Sequence, residues 1–303
     1  MLKEIFLSID HYHLRGHIWG ENHSPTIICL HGLGNTSLSF IEIAEELKGE
    51  YQIISIDLPG HGKSDKFATE AEYEMENMTT WLYRALERLN VGKFYFMAHS
   101  YGADIALHFM KKYGSYVIKT LLLDGGYTTK AHFYHIVDEL ASKPDWKWPN
   151  INSVEKEIEY TAESFDSFEY PSYKAFYDEE AKSYSDWNED KIIASKDYVK
   201  EVDGRVKLIA DSEVAGSVIK SMARSPINKV YSQLGDNMLL LVATLPQEFK
   251  VINDKLIEDV KSHSRMGVKW VENATHMLHW DQREAVVEEI RNYFKPDSQS
   301  PIC

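Results

Sequence analysis

An apolar run, Phe94-Tyr95-Phe96-Met97, leads into Ala98-His99-Ser100-Tyr101-Gly102, and an apolar-periodic stretch starts at Ala103. A serine flanked by small residues where a strand meets a helix has the pattern of a nucleophile elbow, G-x-S-x-G, with Ala98 in the first position. The turn is too tight for large side chains at 98 and 102, and Ala is the smallest departure from Gly. It holds the serine in a strained backbone, with the hydroxyl above the sheet at a helix N-terminus. The chemistry this offers is attack on a carbonyl. It needs a base, an acid to orient the base, and two donors for the oxyanion.

One donor is expected to be the backbone N–H of Tyr101. The second is expected from the loop after the strand Thr26–Leu30, His31-Gly32-Leu33-Gly34-Asn35, whose glycines let the chain fold back so that the Leu33 N–H faces the site. For the base, His276 sits in a late loop after the strand Val268–Val271 and before the last helix. An imidazole with an ordinary pKa near 6.5 suits proton transfer in both directions. His279, three residues on, is the nearest rival among thirteen histidines and is expected to be a satisfied polar residue near a lid. The 276/279 pair has no third ligand spaced to complete a metal site. No Gly-rich phosphate loop with Lys is present, so neither metal nor cofactor is expected.

His31-Gly32-Leu33-Gly34, Asp57-Leu58-Pro59-Gly60-His61-Gly62-Lys63-Ser64-Asp65, Ala98-His99-Ser100-Tyr101-Gly102 and Thr275-His276-Met277-Leu278-His279-Trp280 occur in that order, the first three each directly after a strand. With these motifs the chain resembles the α/β-hydrolase superfamily, serine esterases and lipases with a helical lid, over nearly its whole length apart from an insertion. The resemblance implies that 57–65 is a structural loop, whose Gly60, His61 and Gly62 turn tightly beside the site without chemistry. In most of the family the acid follows the next-to-last strand. Here that position falls at Pro246, which cannot serve, and Glu248 lies two residues late. The other location, used in some haloalkane dehalogenases, is just after the strand that follows the nucleophile. Asp124 stands there, 24 residues after Ser100 in Asp124-Gly125-Gly126, although it could equally cap that turn. Both carboxylates stay candidates, with Asp124 favoured. Haloalkane dehalogenases and epoxide hydrolases of this fold attack with aspartate, so Ser100 argues against both activities.

These residues need a scaffold. Short apolar runs alternate with amphipathic stretches: a hairpin over 3–19, strands at Thr26–Leu30, Gln52–Ile56, Phe94–Met97, Ile118–Leu123, Met238–Val242 and Val268–Val271, and helices between them. Strands apolar on both faces imply a mostly parallel sheet flanked by helices, with ligands at the carboxyl ends of the strands. The expected class is α/β, an α/β-hydrolase fold with a core over 1–126 and 236–303. Residues 127–235 break the rhythm and are rich in Tyr, Trp, Asp and Glu. They are expected to form a helical cap inserted after the strand ending at Leu123, with Phe133, Tyr134, Trp146 and Trp148 either over the site or in the cap's own core.

Composition bounds the partners. A net charge of −14 with pI near 5.4 opposes nucleic acid and anionic membranes. No run approaches a bilayer span of roughly 18 residues, and the N-terminus does not read as a signal peptide. Only Cys29, in an apolar strand, and the terminal Cys303 are present, which suits a reducing compartment and a cytoplasmic protein. The expected function is hydrolysis of an ester-like bond of a small, apolar substrate through an acyl-enzyme. The alternatives are C–C, lactone or thioester hydrolysis on the same triad, or a non-catalytic ligand-binding or signalling homologue. No residue pattern points to an oligomeric state.

Overall fold

The computed structural model describes residues 2–295. The chain opens with a hairpin, β1 (Lys3–Ile9) and β2 (Tyr12–Trp19), followed by β3 (Thr26–Leu30), α1 (Ile41–Leu47), β4 (Gln52–Ile56) and α2 (Met75–Arg88). Then come β5 (Phe94–His99), α3 (Tyr101–Tyr113) and β6 (Val117–Leu123). After the insertion the core resumes with a penultimate strand (Met238–Ala243), a long helix (Gln247–His263), a last strand (Gly267–Val271) and two closing helices (Leu278–Asp281 and Arg283–Tyr293).

The eight core strands form one sheet in the order β1-β2-β4-β3-β5-β6, then the Met238 strand and the Gly267 strand. The two pairings made by β2 are antiparallel and the other five are parallel. Side chains of a strand alternate between faces, and both faces here are covered. Ile28, Leu30, Ile54, Phe96 and Ala98 pack with α2, α3 and the Gln247 helix. Ile27, Cys29, Ile53, Tyr95 and Met97 pack with α1 and the final helix. Every residue of β5 is buried, which is why it reads as an unbroken apolar run. Cys29 is a buried free thiol; Cys303 lies outside the described residues.

The insertion holds α4 (Lys130–Ala141), α5 (Val154–Ser167), β7 (Glu169–Tyr170), α6 (Tyr173–Glu180), α7 (Glu189–Asp197), β8 (Val199–Val202), β9 (Arg205–Leu208), α8 (Ser212–Arg224) and α9 (Asn228–Tyr231). It is thus mostly helical but also carries a small antiparallel sheet, β7-β9-β8, which the sequence reading lacked. In chain order the core elements after it are β10, α10, β11, α11 and α12. Two ion pairs, one buried and one half-buried, join α7 to the core. Lys191 lies 2.9 Å from Glu42 on α1. The Arg15 guanidinium on β2 reaches Asp57 Oδ2 at 2.5 Å and Asp197 at 2.6 and 2.9 Å. Among the described residues no helix is long and apolar enough to cross a membrane.

Candidate active site

Ser100 sits between the end of β5 and the start of α3 with φ 51° and ψ −121°, a left-side conformation that a residue with a Cβ adopts only when its surroundings impose it. The surroundings do so by contact. A Cβ on Gly102 would lie 2.4 Å from the Leu30 carbonyl oxygen, and one on Gly125 would lie 2.5 Å from Ser100 N, Cα and O. Gly125→Ala therefore forces the elbow backbone to move. It is expected to cost about 3 kcal/mol of stability, as severe overpacking does, and to lower turnover sharply; urea titration and kcat check both. As the first residue of α3, Tyr101 has no carbonyl four residues back in the helix for its amide.

The loop bearing Leu33 is held by two imidazoles. His31 accepts a hydrogen bond from the Leu58 N–H at Nε2 (2.9 Å), so its Nδ1 donates to the Gly32 carbonyl (2.8 Å). His61 accepts from the Gly34 N–H at Nε2 (3.1 Å) and donates from Nδ1 to the Pro59 carbonyl (3.1 Å). Both rings must be neutral to accept, and burial pushes both pKa values down, that of His61 to about 4. The sequence reading gave His61 no task beyond the turn; it ties loop 57–65 to the loop of Leu33.

Asp124 ends β6 with φ 43° and is 5 % exposed. Its amide donates to the Leu241 carbonyl on β10. One carboxylate oxygen accepts from the Ala243 N–H (3.0 Å) and the Tyr127 hydroxyl (3.1 Å), and the other stands 2.7 Å from His276 Nδ1. The His276 imidazole, 57 % exposed, can donate Nδ1–H there and leave Nε2 unprotonated. Glu248 lies on the exposed first turn of α10, and the side-chain partner of His276 is Asp124.

Ser100, Asp124 and His276 line one cavity of about 480 Å³. Phe133 and Trp148 line it too, joined by Phe249, Tyr160 and Met222, which the sequence reading did not single out. Tyr134 is buried and donates to Glu157, and Trp146 packs against the core. His279 departs from expectation: it is buried, neither ring nitrogen has a hydrogen-bond partner among the described residues, and it stacks on Phe40 at 5.2 Å. Its ring neighbours are Phe40 and His99, and burial holds its pKa down at about 3. Among the described residues no three His, Cys, Asp or Glu side chains gather as metal ligands.

Residues 25–178 match the sequence model of the α/β hydrolase fold. The chain belongs to the α/β-hydrolase family. This α/β-hydrolase is 26% identical over 290 residues to the serine hydrolase-like protein of Danio rerio, covering 94% of the chain and 86% of that protein. It is 25% identical over 124 residues to the human serine hydrolase-like protein, spanning 41% of the chain and 61% of the relative. Among solved structures, a thioesterase domain from the curacin biosynthetic pathway superposes with TM-score 0.70 at 16% identity, over 96% of this chain and 99% of that one. The Cif epoxide hydrolase from Acinetobacter nosocomialis gives 0.71 at 17% identity, over 97% and 89%. At such identities the structures share the fold.

Proposed function

We propose that this α/β-hydrolase cleaves an ester-like bond of a small molecule through an acyl-enzyme. In this reading Ser100 attacks the carbonyl while His276 Nε2 takes its proton, and Asp124 fixes the tautomer and stabilises the imidazolium. The amides of Leu33 and Tyr101 receive the oxyanion. The proton then passes to the leaving group, and water activated by His276 releases the acid. The observation that carries this is the 2.7 Å contact of His276 Nδ1 with Asp124 beside a strained serine, all facing one cavity. Residues 127–235 act as its cap: α4 and α5 supply Lys130, Phe133, Glu157 and Tyr160 to the lining. The apolar part of the wall, Phe133, Trp148, Phe249 and Met222, favours contact with an alkyl or aryl portion of the substrate. The scarcity of cysteine fits a cytoplasmic setting.

Labelling with a fluorophosphonate and hydrolysis of a chain-length series of p-nitrophenyl esters test the reading. The wild type is expected to label at Ser100 and turn over the shorter esters, and Ser100→Ala to do neither, a loss on the order of 10⁴-fold or more. A wild type that neither labels nor hydrolyses would make the protein a binding homologue.

A further inference from the structure

Besides Asp124 and His276, the charged side chains in the wall of the catalytic cavity are Asp104, Lys130 and Glu157, and the last two pair with each other. Asp104, one turn along α3 from Ser100, lines the cavity and is only 4 % exposed. Asp124, by contrast, has its carboxylate taken up by Ala243, Tyr127 and His276. The Asp104 carboxyl accepts hydrogen bonds from the backbone amides of Gly126 and of Asp104 itself, and no side chain among the described residues donates to it. The groups facing it are Lys130 on α4 and the phenols of Tyr101 and Tyr231. Lys130 is already committed to Glu157 at 2.5 Å, and the Tyr231 hydroxyl donates to the Gly126 carbonyl. Burial pushes the Asp104 carboxyl up to about 7. A buried carboxylate held by backbone amides alone is still costly to ionise, and an incoming cation would relieve that cost with a charge-assisted hydrogen bond.

We propose that Asp104 sets the specificity of this cavity, selecting substrates that carry a protonated amine one helical turn from the reacting carbonyl. The proposal rests on Ser100 as nucleophile. Four residues at 1.5 Å each put the ammonium about 6 Å along α3 from the serine, a span of a short alkyl chain. A substrate ending in a carboxylate meets like charge, and one ending in a methyl group leaves Asp104 desolvated. Above neutral pH the carboxylate is charged and the selection is strongest; as pH falls through about 7 it takes a proton and the selection fades.

The test is calorimetric titration of Ser100→Ala protein with hexylammonium, hexanol and hexanoate, which needs no turnover. At pH 8 hexylammonium is expected to bind at least tenfold more tightly than either of the others. The preference should shrink at pH 5.5, and vanish in Ser100→Ala/Asp104→Asn while hexanol binding persists. Hexanol or hexanoate binding as tightly as hexylammonium at pH 8, or a preference that survives Asp104→Asn, would overturn the proposal. Should the double variant not fold, the comparison of the three ligands with Ser100→Ala at pH 8 decides alone. Failure of wild type to label with a fluorophosphonate would remove the nucleophile reading and leave the ammonium titration to report on Asp104.

Discussion

Asp124→Asn is expected to lower kcat on the order of 10⁴-fold and to leave the protein folded. The asparagine retains an oxygen for the Ala243 N–H and the Tyr127 hydroxyl, so the bonds that fix the end of β6 to β10 survive. Its NH₂ then faces His276 Nδ1. The ring must accept there, which puts the proton on Nε2, and an Nε2–H cannot take a proton from Ser100. A positive charge on the ring also loses its counter-charge. Glu248→Gln, on the exposed first turn of α10, is expected to leave kcat unchanged. Steady-state kinetics on one p-nitrophenyl ester, with a thermal melt of each variant, separates the chemical loss from a structural one. Equal activity of Asp124→Asn and wild type would remove Asp124 from the mechanism.

The second large effect is on stability in acid. Five histidines, His17, His31, His61, His99 and His279, are buried. Burial holds all five below the ordinary value of 6.5, with His17 and His61 at about 4 and His279 at about 3. The folded state keeps these rings neutral, whereas the unfolded chain charges them once pH drops below 6.5. Stability is therefore complete above pH 6.5 and is lost as pH falls toward 4. A fall from 6.5 to about 4 is worth roughly 3 kcal/mol for fully buried His61. Two or three such groups approach the roughly 5–15 kcal/mol that holds a typical domain together. Asp104, raised to about 7, and Asp57, Glu180 and Asp190, also raised by burial, act in the opposite sense, since each gains its proton at a higher pH in the folded state than in the unfolded chain. Urea midpoints should decline steeply from pH 6.5 to 4.5, and a flat profile would contradict the argument. His279→Leu should flatten part of the slope, because that ring stacks on Phe40 and gives up no hydrogen bond.

The elements around Ser100 were legible because each step is local: an apolar run, a small-residue turn, an amphipathic stretch. β3, β4 and their loops follow the same logic, and their expected boundaries match the observed ones. The acid was less legible. Asp124 and His276 are 152 residues apart in the chain, and only the neighbouring placement of β6 and β10 brings the Asp124 carboxylate to Ala243 and His276. The small sheet of the insertion has a local signal in the sequence. Asp203-Gly204 separates Val199-Lys200-Glu201-Val202 from Arg205-Val206-Lys207-Leu208, an Asp-Gly turn between short alternating runs. Strands of two to four residues are easily lost beside longer helical patterns. Asp104 also left a trace, an acid among Ala103, Ile105, Ala106 and Leu107 on an otherwise apolar stretch. Its position in the cavity depends on the packing of α3 against β5, β6 and α9, which no local pattern encodes.

The anchorage of α7 bears on modularity. Arg15 and Glu42 belong to the core, yet each has a carboxylate or ammonium partner from the insertion, Asp197 and Lys191. Excising residues 127–235 would take one partner from each, leaving Arg15 with Asp57 and Glu42 with Arg283 at 3.3 Å, and would uncover side chains that are now buried. An exchange of this segment for that of a relative keeps all of these contacts only if it brings an acid for Arg15 and a base for Glu42 with it. The segment is grafted rather than hinged on, and core and insertion are expected to melt as a single calorimetric transition.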